Sequence, residues 1–272
     1  MTFVILTTDT LHHRYFVNRI ARSIRPIVVL ERRAASQWRS YLRTLRRERT
    51  LAALVENSYL CRSYRGFNRR QDEFERQALF ASVPNDFSGA ADVLRTDDVN
   101  SADFLRQLDL IRPTLVVSFG TGRIGHELLA RPGVKVNVHR GVLPAYRGLD
   151  SDLWACWLRD FSNIGTCVHL LEPGLDTGPV YEQRRLTLAP GMAAHHLRYH
   201  TTVLAAEIVE RAIGSLRESG DLPTTPQDAS LGRYYSYIPP IRRAVAIRRL
   251  NKHVRGLERS PGSALRERQS LP

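Results

Sequence analysis

Val134-Lys135-Val136-Asn137-Val138-His139-Arg140-Gly141 is the stretch on which the fold reading turns, because a β-branched alternating run ends there in two polar groups. Val134 to Val138 reads as a strand. Asn137 and His139 stand two residues apart at its end, so both side chains project to the same side. A strand that delivers an amide and an imidazole at its carboxyl end is the arrangement of an open α/β sheet, where functional groups gather at strand ends.

Working outward supports that frame. On the N-terminal side lie a short helix, Gly125 to Ala130, a β-rich run, Thr114 to Phe119, and a helix, Ser101 to Ile111, capped by Asn100-Ser101-Ala102-Asp103 and stopped by Pro113. A short strand near Val93 precedes them. The chain opens with a strand, Thr2 to Thr7, a helix, Leu11 to Ser23, and a second strand, Pro26 to Glu31, which is a βαβ beginning. On the C-terminal side come a helix, Leu149 to Arg159, strands Ile164 to Leu171 and Val180 to Leu188, and a long helix, Ala193 to Leu216, with Leu197, Leu204, Ile208, Ala212 and Leu216 on one face. The alternation predicts an α/β fold with a mostly parallel, twisted, doubly wound sheet.

The expected domain organisation is a catalytic domain over 1–220, an exposed, Arg-rich helical insertion over about 32–80, and a short basic C-terminal extension over 221–272 whose end is disordered. Pro223-Thr224-Thr225-Pro226 reads as a linker into that extension, with Tyr234-Tyr235-Ser236-Tyr237 starting the basic tail. The net charge is +13, and it is localised. Arg32 to Arg76 holds 12 arginines against 5 acidic residues, and Arg233 to Pro272 holds 10 basic residues against 2 acidic ones, so these two segments carry all of the excess. No aromatic alternation accompanies the first, which reads as a solvated face and not as a nucleic-acid groove.

No run of ~18 apolar residues and no leader pattern is present, so a cytoplasmic protein with no membrane partner is expected. Cys61, Cys156 and Cys167 are odd in number and lack paired spacing, which points to buried small hydrophobes. His12-His13 and His195-His196 read as surface or helix-packing residues, and no metal is expected. Trp154 and Trp157, at helical i, i+3 spacing, read as core.

A second segment completes the chemistry: Gly165-Thr166-Cys167-Val168-His169-Leu170-Leu171-Glu172-Pro173-Gly174-Leu175-Asp176-Thr177-Gly178. Asp176 stands in a Gly-flanked turn that permits close approach to a ligand, and a carboxylate near His139 would fix its tautomer and favour the imidazolium. Amide donor, imidazole and carboxylate suit an acyl transfer that uses no protein nucleophile. An amine attacks a formyl carbon, Asn137 and a protonated His139 stabilise the oxyanion, and Asp176, directly or through water, takes the proton. His169 reads equally as a core histidine or as a support for the site. For Arg147, a substrate phosphate and a protein carboxylate are equally open partners.

These residues resemble the folate-dependent formyltransferase family, whose members share Asn-x-His…Leu-Pro…Arg-Gly followed by Thr…His…Asp-x-Gly. The likeness runs from about Val116 to Leu188 and weakens over Met1 to Glu31. Arg140-Gly141 departs from it, standing where small residues often follow the histidine. The resemblance implies a Rossmann-like formyltransferase fold, 10-formyltetrahydrofolate as co-substrate, and Asn137, His139 and Asp176 as the catalytic set. It also implies a pterin held by the backbone of Thr121, Gly122, Arg123 and Ile124, of Val142, Leu143 and Pro144, and of Leu171, Glu172, Pro173, Gly174 and Leu175.

The expected acceptor is the primary amine of a nucleotide-linked amino sugar, as in the sugar N-formyltransferase-like branch. Only 52 residues follow Gly220, less than the RNA-gripping domain of methionyl-tRNA formyltransferases. The turn Thr7-Thr8-Asp9-Thr10-Leu11-His12-His13 lacks the glycines of the glycinamide ribonucleotide branch. Arginines and tyrosines of the tail would then hold the nucleotide. The alternatives are an amino acid or carrier-bound amine, hydrolysis of the formyl-folate, methionyl-tRNA formyltransferase-like activity, and a non-enzymatic basic binding module. No specific nucleic acid is expected as partner, and a homodimer is allowed.

Overall fold

The computed structural model describes residues 1–32, 51–81 and 83–259. Its centre is a seven-stranded sheet of β1 (Phe3–Thr7), β2 (Ile27–Glu31), β3 (Asp92–Thr96), β4 (Leu115–Phe119), β5 (Val134–His139), β7 (Gly165–Leu170) and β8 (Val180–Arg185). The spatial order is β3-β2-β1-β4-β5-β7-β8. The first five strands in that order run parallel, while β5 pairs antiparallel with β7 and β7 with β8. The sheet is thus mostly parallel, as the sequence predicts. Its antiparallel edge had no signal in the helix-strand alternation.

Alternation along β1 shows how both faces are filled. Phe3 and Ile5 join Val28, Val117 and Val136 in a core closed by α1 (Leu11–Ile20) and α6 (Leu197–Ser219), whereas Val4 and Leu6 join Val29 and Val116 under α3 (Ala102–Ile111) and α4 (His126–Leu129). Ser101 caps α3, its side chain accepting from Phe104 N, and Gly220 at φ +73° closes α6.

Residues 33–50 of the Arg-rich stretch lie outside the described residues. The remainder forms α2 (Leu51–Leu79), and here the expectation of an exposed insertion is corrected. Phe67, Gln71, Glu75 and Leu79, spaced four residues apart, are buried. Leu79 packs with Tyr15 of α1, and the fully buried Glu75 carboxylate receives Arg198 Nε of α6 at 2.5 Å. Half of this face is polar, so hydrophobic periodicity does not reveal it.

The chain beyond α6 also folds back. Thr225 exchanges two backbone hydrogen bonds of 2.8 Å with Val180. β9 (Arg233–Tyr235) pairs in parallel with β6 (Tyr146–Gly148), and α7 (Pro240–Glu258) lays Ala246, Leu250 and Val254 against α5 (Ser151–Leu158). Burying the Leu and Val side chains stabilises that docking by about 1.5–3 kcal/mol each. Residues 260–272 lie outside the described residues.

Candidate active site

β5 presents Asn137 and His139 on the face opposite Val136 and Val138. The antiparallel register then sets His169 of β7 opposite Asn137. Asp176 arrives from the turn after β7 with φ +53°, a left-handed conformation that a non-glycine residue adopts only where its surroundings impose it.

The three residues expected from the sequence do meet. Asn137 Nδ2 donates to Asp176 Oδ1 at 3.1 Å, and His139 Nδ1 lies 3.5 Å from Asp176 Oδ2. The Gly148 amide donates to Asp176 Oδ2 at 2.8 Å. His139 Nε2 donates to the Tyr146 carbonyl at 2.8 Å, with Ser151 Oγ 3.4 Å away, and the His139 carbonyl accepts from Thr166 Oγ1 at 3.0 Å. Because a carbonyl only accepts, Nε2 carries a hydrogen.

His169, left open by the sequence, belongs to this cluster. Its Nδ1 donates to Leu170 O at 2.8 Å, and its Nε2 lies 3.2 Å from Asn137 Nδ2 and 3.3 Å from Asp176 Oδ1. Its place opposite Asn137 depends on the strand register, which the sequence pattern does not give.

Burial opposes ionisation of both partners, with different outcomes. For Asp176, burial raises the carboxyl, but the His139 charge, the His169 contact and the Gly148 amide together hold it far below the usual carboxylate range. For His139, burial lowers the imidazole below its ordinary value, and Asp176 and the Tyr146 carbonyl restore only part of the loss. Burial and the Asp176 carboxylate thus pull the imidazole in opposite directions, with Nδ1 facing Asp176 Oδ2.

The segments expected to hold a pterin divide. Arg123 Nη2 donates to the Pro173 carbonyl at 2.9 Å, and Ile124 and Leu171 pack in one apolar cluster, so the first and third segments form one wall. Glu31 braces that wall, accepting from Gly122 N at 2.6 Å, and Asn100 Nδ2 donates to Arg123 O at 2.9 Å. Gly122, Arg123, Glu172, Pro173, Gly174 and Leu175 are exposed, Thr121 and Pro144 half-buried. Val142 and Leu143 are buried, with Leu143 N donating to Gln183 Oε1 of β8 at 3.1 Å; Leu143-Pro144 is a cis peptide.

Several tail arginines are engaged within the fold. Arg242 lies 5.6 Å from the ring centres of Trp154 and Trp157, Arg249 4.5 Å from that of Trp157, and Arg243 4.8 Å from that of Phe67. Two guanidinium nitrogens near the site, Arg140 Nη1 and Arg147 Nε, are buried without a hydrogen-bond partner among the described residues. His12 and His13 pack beside Phe119, and Cys156 and Cys167 are buried thiols. Among the described residues no group of three or more His, Cys, Asp or Glu side chains is disposed to hold a metal ion, and no helix is long and apolar enough to cross a membrane.

Comparison with known proteins bears on the family and the fold. Residues 61–213, more than half of the chain, match the family model described as formyl transferase. A methionyl-tRNA formyltransferase of a Methylobacterium species is 35% identical over 154 residues, covering 55% of this chain and 49% of that protein. The chain thus spans about half the length of the curated relatives it matches. Among solved structures, a sugar N-formyltransferase from a Shewanella species superposes with a TM-score of 0.53 at 12% identity, covering 92% of this chain and 87% of that one. HypX from Aquifex aeolicus, solved with tetrahydrofolic acid, gives 0.52 at 15% identity, covering 90% and 34%. With its mostly parallel sheet and both motifs inside the matched span, the chain is a member of the formyl transferase family with the Rossmann-like fold of that family.

Proposed function

We propose that this chain transfers a formyl group from 10-formyltetrahydrofolate to a primary amine, and that the amine belongs to a nucleotide-linked amino sugar. The observation that carries the reading is the convergence of Asn137, His139 and His169 on the Asp176 carboxylate at the end of β5. The tetrahydrofolic acid bound by HypX supports the donor. The wall made by Thr121 to Ile124 and Leu171 to Leu175 is where its pterin would lie.

The residues present suit the chemistry. The amine nitrogen forms a bond to the formyl carbon, and the formyl oxygen becomes an oxyanion that replaces one of Asn137's two partners at Nδ2. His139 Nδ1 takes the proton from nitrogen, and Asp176, already ionised and 3.5 Å away, stabilises the resulting imidazolium. The bond from the formyl carbon to the folate nitrogen then breaks, and the proton passes to the folate nitrogen. Asp176 so acts through His139, whose Nδ1 it faces.

The acceptor reading is supported by the sugar N-formyltransferase likeness and by the two unpartnered guanidinium nitrogens, which suit a diphosphate. A second reading, methionyl-tRNA, is favoured by the 35% identity to such an enzyme. The test is a panel of nucleoside-diphosphate amino sugars, methionyl-tRNA and free amino acids, each incubated with 10-formyltetrahydrofolate and read by mass spectrometry. Formylation of one or more amino sugars in preference to the others is expected. Preferential formylation of methionyl-tRNA would replace the sugar reading, and transfer to no amine would remove the formyl-transfer reading.

A further inference from the structure

The family match ends at residue 213, yet the chain beyond α6 closes the site. Gln227 Nε2 donates to the Asp176 carbonyl at 3.1 Å and to the Gly178 carbonyl at 2.7 Å. Both partners only accept, so the amide orientation is fixed. Its Oε1 is buried without a partner among the described residues, which hold the side chain by its donor end. The first of these bonds falls on the residue that sits at positive φ, and the second on the carbonyl two residues further on. From the other side, β9 pairs with β6, and Leu149 N donates to Tyr235 O at 2.8 Å. That places Gly148, whose amide grips Asp176 Oδ2. The fit is close: Gly148 has φ +94°, and a Cβ there would stand 2.2 Å from Tyr235 O. Tyr146 and Tyr235 stack at 5.5 Å, and Trp154 Nε1 donates to Ser236 O at 2.8 Å, which secures the pairing.

We propose that the segment from Thr225 to Ser236 is a positioning strap for Asp176, with Gln227 fixing the backbone of residue 176 and β9 fixing the strand whose amide holds its carboxylate. Gln227 is a positioning residue and touches no reacting atom. The inference rests on the reading of Asp176 as part of the site, but its test does not require an accepted amine. A shift of about 1 Å at such a group costs on the order of a hundredfold in rate, so a strap outside the two motifs can decide whether the motif residues work together.

The experiment is amide hydrogen exchange by NMR on the full chain, with Gln227→Ala and Gln227→Glu, together with a ¹³C titration of the Asp176 carboxyl. The glutamate keeps the shape and replaces the donor by a carboxylate facing two carbonyls. Gly148 exchange should rise by about tenfold or more in both variants. Exchange at Val4 and Val116, in β1 and β4, should stay at the wild-type rate, and the Asp176 carboxyl should titrate nearer its ordinary range. Three outcomes would overturn the strap: unchanged Gly148 exchange, equal acceleration at Val4 and Val116, or a wild-type pattern in Gln227→Glu, which would show that Gln227 only fills space. If the amine panel fails while Gly148 responds, the proposed activity falls and the strap stands; the reverse pattern removes the strap alone.

Discussion

Two groups of histidines are withdrawn from water in this molecule, and their surroundings differ. His139 and His169 converge on one carboxylate, Asp176, which has no arginine partner among the described residues. His195, His196 and His200 lie along the seam between α2 and α6, where His196 stacks on Phe74 at 4.0 Å and Phe74 meets Tyr199 at 5.3 Å. The acids of that seam, Asp72 and Glu75, are already paired with Arg198. Burial lowers the imidazole of His139 in the first group and those of His195, His196 and His200 in the second. In the first, an ionised carboxylate can stabilise the proton when it arrives; in the second, His196 is pushed down to about 4 with only neighbouring histidine charges added to burial. Desolvation alone therefore does not mark a site, and the uncommitted counter-charge does.

The largest expected effect lies in the seam and concerns stability. Glu75→Ala would leave Arg198 largely buried with Asp72 as its one remaining acidic partner among the described residues, and a loss of about 3–5 kcal/mol is expected by urea unfolding. A loss under about 1 kcal/mol would show that α2 docks without this pair. In the site the expected effect is kinetic. Asp176→Asn should lower kcat by on the order of 10²–10³ while keeping the dispersed amide spectrum of a folded chain, because the side chain orients and stabilises charge without carrying a core.

The sequence shows one of these regions far better than the other. Asn137 and His139 are legible because strand alternation alone puts them on one side, and Asp176 because a carboxylate in a Gly-rich turn has little packing role. His169 is not, since its partner depends on an antiparallel register between β5 and β7 that helix-strand alternation does not encode. Gln227 and the three-residue β9 give too short a pattern to read, and the buried face of α2 is hidden by its polar members Gln71 and Glu75. Local periodicity specifies elements, while long-range pairing assembles the site from them.

Two smaller effects sharpen the contrast. Arg140→Gln with Arg147→Gln should raise the KM for a diphosphate-bearing acceptor by about tenfold or more and leave that for the folate unchanged. Equal KM values would place the acceptor's phosphates elsewhere. The smallest change is expected from His196→Leu, read as stability against pH. His196 titrates near 6.5 when unfolded and about 4 when folded, so the unfolded chain binds the extra proton between these values. The stability present above pH 6.5 is then lost progressively as the pH falls toward 4, and the variant should show a shallower fall over that window. An unchanged slope would assign the acid sensitivity to other groups.

The contrast is tested most directly by single-turnover formyl transfer from 10-formyltetrahydrofolate to the accepted amine, measured by rapid quench in the wild type, His139→Ala and His196→Leu. The account predicts a fall of about 10² or more for His139→Ala and a rate within about twofold of wild type for His196→Leu. A near-normal rate in His139→Ala, or an equal loss in both variants, would contradict it.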